Sequence, residues 1–146
     1  MSNKIKKTSG GVVFYKNYIL MIKKNKIWDL PKGKIEKNNT KRETAIQEIF
    51  EETGIPQKNL KIVTKLATTK YLKQIEVENV IKHTIWYAVK FQGDFEQKLI
   101  PDLKEGITKC RWVSVNKINS KMKKSSPHII YIIHYFLSLY KKNILI

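Results

Sequence analysis

The sequence predicts an α/β fold in which helices pack on the faces of a β-sheet. Two observations predict this class. Runs of residues with high strand propensity alternate with two segments of helical periodicity, and the second segment lies near the C-terminal end. The 146 residues contain no internal repeat or low-complexity linker and suit one hydrophobic core, so we expect a single domain over residues 1–146.

The first third of the chain is predicted to form a β-hairpin followed by a loop. Gly10–Tyr15 and Tyr18–Lys23 are rich in β-branched and aromatic residues, and Lys16-Asn17 between them suits a tight turn. Trp28–Gly33 contains a proline and a glycine, which both interrupt regular structure. This segment is therefore expected to be a loop.

Thr40–Thr53 has the signals of both ends of a helix. Thr40 and Glu43 have the spacing of a capping box, and Gly54 followed by Pro56 ends the helical pattern. The predicted apolar arc of this helix consists of Ala45, Ile46, Ile49 and Phe50.

The second half of the chain is predicted to contain three strands and a final helix. Leu60–Tyr71 and Val80–Phe91 are long strand-like runs joined by a turn at Glu76–Asn79, and Ile107–Val115 is another strand. A helix begins at Pro127, since proline suits the first helical position, and extends to about Lys142. Its apolar stripe is expected to face the core, or alternatively a partner, and consists of Ile129, Ile130, Ile133, Phe136, Leu137 and Tyr140.

The charge balance indicates affinity for polyanions. The chain has 29 basic and 12 acidic residues, a formal net charge of +17. Such a field attracts nucleic acids, nucleotides or a membrane surface. Only Arg42 and Arg111 are arginines, which weakens the nucleic-acid interpretation because arginine is the better reader of bases and phosphates. An excess of Lys, Ile and Asn is also typical of AT-rich genomes, so the charge has a compositional explanation as well.

Several features favour a cytoplasmic protein. Cys110 is the only cysteine, which excludes an intrachain disulfide or a multi-cysteine zinc site, and its position in a strand predicts a buried, inert thiol. Met1–Lys7 lacks the apolar stretch of a secretory signal. The apolar tract from Ile129 onward is too short and too often interrupted to span a bilayer.

Three carboxylates crowd one face of the helix over Thr40–Thr53. Glu48, Glu51 and Glu52 have the spacing i, i+3, i+4, at which like charges repel. The ordinary interpretation of such a cluster is a solvated face, but that would place lysines among the glutamates, and no lysine lies between Lys41 and Lys58. A hard divalent cation is the better partner, because carboxylates supply its oxygen ligands.

The segment before this helix has features that suit phosphate binding. Lys32, Lys34 and Lys37 surround Gly33 in a loop that leads to the helix N-terminus. Backbone N–H groups and the positive end of the helix dipole attract phosphate at such a position. Adjacent metal-binding and phosphate-binding elements indicate a site for a metal-bound phosphoanhydride.

The segment from Gly33 to Ile55 resembles the 23-residue Nudix box. Its sequence is GKIEKNNTKRETAIQEIFEETGI, and the pattern of the box is G-x5-E-x7-R-E-U-x-E-E-x-G-U, where U is Ile, Leu or Val. SGGVVFY and WDLPKGKIE before the box, and TIWYAVKF and EGITKCRWVSVNKI after it, resemble other segments of the family. The positions that match the box are Gly33, Glu48, Ile49, Glu51, Glu52, Gly54 and Ile55.

The resemblance implies an α/β/α sandwich around a mixed sheet and a Mg²⁺- or Mn²⁺-dependent pyrophosphohydrolase. It implies metal ligation by Glu48, Glu51, Glu52 and the backbone carbonyl of Lys32, and a metal that lowers the pKa of a bound water. The general base would be a box carboxylate or Glu105, which precedes the last strand; Glu105 as a simple loop carboxylate is the alternative. Lys32 and Lys34 would hold phosphates.

Two positions depart from the box, since Asn39 replaces its first glutamate and Gln47 its arginine. In the family these two residues chiefly brace the loop and the helix. We expect the amides of Asn39 and Gln47 to replace that charged brace as a hydrogen-bonded pair.

A nucleobase requires an aromatic platform, for which Trp28, Tyr71, Trp86 and Tyr87 are available, although aromatic residues on strands, like Trp112, usually belong to the core. His83, His128 and His134 show no ligand spacing and receive no role.

WDLPKGKIE is most similar to the branch with diadenosine polyphosphate hydrolases; ADP-ribose or sugar-nucleotide pyrophosphatases are close competitors, and a mutagenic-nucleotide hydrolase is less favoured. The alternatives are a degenerate Nudix domain that binds nucleotide or RNA without turnover, and a basic regulatory domain acting on nucleic acid. A homodimer is compatible with the family.

Overall fold

The computed structural model describes residues 4–143, so Met1–Asn3 of the basic N-terminal segment lie outside the described residues. Within this range, four strands precede the first of three α-helices, and three further strands precede the other two. The strands are β1 (Lys4–Tyr15), β2 (Tyr18–Lys24), β3 (Ile27–Asp29), β4 (Lys32–Lys34), β5 (Leu60–Ile75), β6 (Glu78–Phe91) and β7 (Ile107–Ser114). The helices are α1 (Lys41–Thr53), α2 (Ile118–Lys121) and α3 (Pro127–Lys141), with short 3-10 turns at Gln57–Asn59, Leu103–Glu105 and Met122–Lys124.

The strands form one mixed sheet in the order β3-β2-β1-β6-β5, with β4 paired to β1 and β7 paired to β2. The central pair β1 and β6 is parallel, and the other pairs are antiparallel. The predicted hairpin is confirmed: Phe14 pairs with Ile19 and Tyr15 with Tyr18, and Lys16 adopts the positive φ that a tight turn requires.

Two hydrophobic clusters lie on opposite faces of the sheet, because successive side chains of a strand point to opposite faces. Val12 and Trp86 belong to the cluster under α3, and the adjacent Val13 and Tyr87 belong to the cluster under α1. The apolar stripe of α3 faces the core as predicted, with Ile129, Ile133, Phe136 and Leu137 buried. Ile132 is buried as well, whereas the predicted members Ile130 and Tyr140 are only partly buried. The predicted sandwich of helices around a mixed sheet is therefore confirmed.

The structure corrects several boundaries. The segment predicted as a loop over Trp28–Gly33 includes parts of the two three-residue strands β3 and β4, which pair with β2 and β1. Strands β5 and β6 extend further than predicted, and the turn between them narrows to Glu76–Val77. The three-residue strands β3 and β4 depend on their partners for hydrogen bonds, so their local sequence signals are weak.

The apolar arc of α1 is also rotated relative to the prediction. Phe50 is 41% exposed, whereas Glu52 and Thr53 join Ala45 and Ile49 in the buried stripe. The helix thus turns one of its three clustered carboxylates towards the protein interior. Among residues 4–143, no helix has the length and apolar character needed to cross a bilayer.

Candidate active site

A cleft of about 580 Å³ opens between the N-terminal half of β1, the β4 segment, α1 and the N-terminus of α3. Its lining carries charges of both signs. The acidic residues are Asp29, Glu36, Glu48, Glu51, Glu52, Asp102 and Glu105, and the basic residues include Lys6, Lys24, Lys32, Lys34, Lys73 and Lys82. The structure therefore brings both the predicted metal ligands and the predicted phosphate-binding lysines into one cavity.

Helix α1 positions the three clustered glutamates because both of its ends are fixed. Thr40 Oγ1 accepts a hydrogen bond from the Glu43 backbone N–H (3.0 Å), and Glu43 Oε1 accepts one from the Thr40 N–H (3.1 Å), which confirms the predicted capping box. At the other end, Gly54 adopts φ 78° and donates its N–H to the Phe50 carbonyl (2.8 Å). Along this helix Glu48 is half-buried, Glu51 is exposed and Glu52 is buried.

Close approach of the β4 segment to α1 makes Gly33 necessary. A Cβ atom at Gly33 would overlap the carboxylate of Glu48. The preceding residue, Lys32, donates its backbone N–H to Glu52 Oε1 (3.1 Å). The missing side chain of Gly33 thus leaves space for one carboxylate, and the backbone next to it orients another.

Burial changes the titration of two of the carboxylates. Burial, together with the neighbouring charges of Glu51, Glu105 and Glu36, raises the pKa of Glu48 to about 7. Burial also raises the pKa of Glu52 to about 8, against the hydrogen bond from Lys32, which favours the charged form. A bound cation would stabilise the ionised forms of both groups.

The acidic residues of the cleft fit a hard divalent cation, since such cations prefer oxygen ligands and each of these residues supplies carboxylate oxygens. Within the part of the chain that the structure describes, no three Asp, Glu, His or Cys side chains converge closely enough to form a preassembled ligand set. Ionised carboxylates at i, i+3 and i+4 repel one another, so a cation between them would favour their convergence.

Glu105, the catalytic candidate outside the box, lines the cleft together with Glu48, Glu51 and Glu52. It ends the 3-10 turn Leu103–Glu105, whose N-cap Asp102 accepts a hydrogen bond from the Lys104 N–H (3.2 Å). Its charge acts on Glu48, and both residues line the cleft. Asp102 and Glu36 are additional acidic residues of the cleft that sequence reasoning missed, because isolated loop carboxylates have no distinguishing pattern.

The predicted pairing of Asn39 with Gln47 is wrong. Both residues line a shallow pocket outside the cleft, but the side chain of Gln47 donates to Glu51 Oε1 (2.7 Å) and accepts a hydrogen bond from Gln57. Gln47 therefore orients a box carboxylate directly. The partner Gln57 lies ten residues away along the chain and gave no signal in the sequence.

The floor of the cleft consists of residues in register across β1, β6 and β5. Thr8 and Thr84 line the cleft as register partners, and their hydroxyls are 2.7 Å apart. Thr69 of β5 continues this buried row outside the cleft. The next row towards the strand ends is Lys6, Lys82 and Tyr71. Moving outward from the core, the floor thus changes from neutral hydroxyls to cations.

Three of the four predicted aromatic platforms do not line the cleft. Tyr87 is only 5% exposed, and the guanidinium of Arg42 lies 5.7 Å from its ring centre. Trp28 packs against the cluster under α3, with the ammonium groups of Lys23 and Lys121 5.5 and 5.1 Å from its ring centre. Trp86, which is fully buried, is a core residue as expected.

The aromatic side chain that does line the cleft is Tyr71, and a histidine stacks on it. The rings of Tyr71 and His128 are 4.1 Å apart between centres and 14° from parallel. Both line the cleft and an adjoining recess against Pro127 and Tyr131. Burial lowers the pKa of His128. Sequence reasoning assigned His128 no role because its neighbour in space is 57 positions away in the chain.

Cys110 is buried and free, as predicted. Burial and the charge of Glu52 raise the pKa of its thiol to about 12, and its Sγ donates to the Glu52 carbonyl (3.4 Å). A thiol with this pKa is protonated at neutral pH and is not a nucleophile.

Comparison with known proteins identifies a matching family and matching folds. The family model of the NUDIX domain matches residues 6–135. The MutT4 protein of Mycobacterium tuberculosis (strain CDC 1551 / Oshkosh) is 29% identical over 96 residues, which are 66% of this chain and 36% of that protein. The chain thus matches only about a third of the length of this relative.

Solved structures share the fold at low sequence identity. A NUDIX hydrolase from Nitrosomonas europaea has a TM-score of 0.73 at 16% identity, over 97% of this chain and 75% of that one. An Ap4A hydrolase from C. elegans, in a binary complex, has a TM-score of 0.71 at 14% identity, over 94% and 98%. A bifunctional NMN adenylyltransferase/ADP ribose pyrophosphatase from Francisella tularensis, complexed with AMP and a Mn ion, has a TM-score of 0.65 at 20% identity, over 97% and 42%.

Proposed function

Because the chain belongs to the Nudix family, we propose that it hydrolyses a phosphoanhydride bond in a nucleoside diphosphate that is linked to another moiety. Diadenosine polyphosphates are the first candidate substrates, and ADP-ribose is the second. The observation that carries this proposal is that one cleft holds charges of both signs. The box carboxylates Glu48, Glu51 and Glu52 line it together with lysines that include Lys32 and Lys34. A phosphoanhydride that bridges a cation and a row of ammonium groups is the ligand that such a cleft suits.

The residues that would hold a Mg²⁺ or Mn²⁺ ion are Glu48, Glu51, Glu52 and the backbone carbonyl of Lys32. Such an ion, when bound, neutralises phosphate charge and lowers the pKa of a water molecule. Gly33 leaves the space that the Glu48 carboxylate occupies, and Gln47 and the Lys32 N–H orient Glu51 and Glu52.

In the proposed reaction the oxygen of water bonds to phosphorus, and the bond from that phosphorus to the bridging oxygen breaks. The proton of the water passes to a carboxylate, and Glu105 and Glu52 are the candidates for this base. The charge of Glu105 acts on Glu48 across the cleft, and Glu52 is the box carboxylate that the Lys32 N–H orients. Lys32 and Lys34 hold the phosphates as point charges.

The base of the substrate would stack on Tyr71 and His128 rather than on Trp28 or Tyr87. The stacked pair lies where the cleft meets the recess formed with Pro127 and Tyr131. The lowered pKa of His128 leaves its ring neutral at pH 7, which favours stacking on a neutral purine.

The experiment is a screen of diadenosine polyphosphates, ADP-ribose, sugar nucleotides and nucleoside triphosphates with Mg²⁺ or Mn²⁺. Mononucleotide and phosphate products are measured for the wild type, Glu51→Gln and Glu52→Gln. We expect metal-dependent turnover that falls by about 100-fold or more in both variants. Glu78→Gln is the matched control, because Glu78 is exposed and lies outside the cleft.

The second candidate is a Nudix domain that binds nucleotide or RNA without turnover. The replacement of the box glutamate and arginine by Asn39 and Gln47 favours it, as does the net charge of +17. Metal-independent nucleotide binding, with no product in the screen, would establish this alternative. RNA binding that falls steeply with salt and survives Glu52→Gln would identify the basic surface as the functional element.

A further inference from the structure

Three lysines line the part of the cleft that strands β1, β5 and β6 form. Lys6 of β1 and Lys82 of β6 are register partners, so their side chains lie on the same face of the sheet. The charge of Lys6 acts on Lys82, and Lys73 of β5 lines the same cavity. We call Lys6, Lys73 and Lys82 the distal lysines.

This arrangement is electrostatically unfavourable without an anion. The charges that act on Lys82 most strongly are those of Lys6, Lys73 and Lys32, and all three are positive. Together with burial, they lower the pKa of Lys82 to about 8. Like charges opposite one another on paired strands destabilise a sheet, and an anion between them would reverse the sign of that contribution.

The distal lysines are separated from the proposed metal ligands along the floor of the cleft. Gly10 of β1 is the register partner of Lys32, and Lys6 lies four residues earlier on the same strand. Four residues of extended strand span about 13 Å. The row of Thr8 and Thr84 lies between the two ends and presents hydroxyls to the same cavity.

We propose that the distal lysines bind the phosphate groups farthest from the bond that is cleaved, so that the cleft selects substrates with long polyphosphate chains over those with two phosphates. This inference rests on the proposed function, since it assigns the distal lysines to the outer phosphates of the same substrate in the same cleft. A diphosphate held at Lys32 and the glutamates would leave the distal lysines without an anionic partner.

The test compares Lys6→Met/Lys82→Met with the wild type on diadenosine tetraphosphate and on ADP-ribose. The matched control is Lys7→Met/Lys65→Met, which removes the same charge from the opposite face of the sheet, where Lys7 pairs with His83. The ratio of kcat/KM for the tetraphosphate to that for ADP-ribose should fall at least about tenfold in the distal variant, because each lost contact is a charged hydrogen bond. The control should keep the wild-type ratio, and Lys6→Arg/Lys82→Arg should retain most of it.

An equal loss on both substrates, or an unchanged ratio, would overturn the proposal. If the wild type hydrolyses neither substrate, the proposed function fails, but calorimetric binding of inorganic tetraphosphate and of pyrophosphate still decides this inference. The proposal then requires that Lys6→Met/Lys82→Met lowers the affinity for tetraphosphate at least about tenfold more than the affinity for pyrophosphate. Parallel weakening of both anions, or none, would contradict it.

Discussion

At the scale of single residues, the site depends on which side chains are absent as much as on which are present. Gly33 has no side chain at the point where the Glu48 carboxylate approaches the backbone of β4. The box pattern identified Gly33 from the sequence, but only the structure shows that its function is to leave room for a carboxylate.

Gly33→Ala should therefore impair the site through Glu48. We expect kcat/KM to fall by about 100-fold, because the added methyl group displaces a proposed metal ligand by a distance comparable to a bond length. Kinetics of Gly33→Ala, Glu48→Gln and the double variant test the connection. The double variant should be no worse than Glu48→Gln alone; losses that multiply would show that Gly33 acts elsewhere.

Glu52 should make the metal-free protein less stable at higher pH. Its pKa is about 8 in the folded state, against an ordinary value of 4.5, so the folded protein holds this proton more tightly than the unfolded chain. The stabilisation is complete below pH 4.5 and is lost as the pH rises towards 8, at a cost of up to about 1.4 kcal/mol per pH unit.

Thermal unfolding of the EDTA-treated wild type and Glu52→Gln between pH 5 and 8 measures this effect. The lowered pKa values of His83 and His128 make the folded state more stable as the pH rises around 6.5, which opposes the effect of Glu52. Both proteins contain these histidines, so the difference in stability between the wild type and Glu52→Gln isolates the effect of Glu52. The wild type should lose stability relative to the variant as the pH rises, and added Mn²⁺ should reduce the loss. A constant difference would show that Glu52 titrates normally.

At the scale of elements, helix α1 was predictable because its signals are local. The capping box, the αL glycine and the carboxylate spacing all lie within fifteen residues, and each is confirmed. The strands β3 and β4 were missed, since three-residue strands exist only through pairing with β2 and β1. The positions of Tyr71, His128 and the distal lysines depend on the register of β1, β6 and β5, which no local pattern specifies.

The capping box of α1 should contribute measurably to stability. Thr40→Ala removes the acceptor for the Glu43 N–H and should lower the free energy of unfolding by about 1 kcal/mol. Thr40→Ser, which keeps the hydroxyl, is the matched control and should stay near the wild type. Equal denaturation midpoints for Thr40→Ala and Thr40→Ser would show that the helix end is held by other contacts.

At the scale of the whole molecule, the net charge of +17 should assist the capture of anionic substrates. If so, raising the salt concentration from about 0.05 to 0.3 M should increase KM for a polyphosphate substrate severalfold, while kcat changes little, because screening weakens long-range attraction. Steady-state kinetics over this range provide the measurement. A KM that does not depend on salt would make the lysine excess a feature of composition alone.

The central claim is that Glu48, Glu51 and Glu52 hold a divalent cation in this cleft. Anomalous diffraction from crystals grown with Mn²⁺ tests it most directly. We predict one strong anomalous peak bounded by the three glutamates and the Lys32 carbonyl, with the carboxylates drawn together around it. A peak elsewhere, or carboxylates that stay apart with no peak between them at saturating Mn²⁺, would contradict the claim.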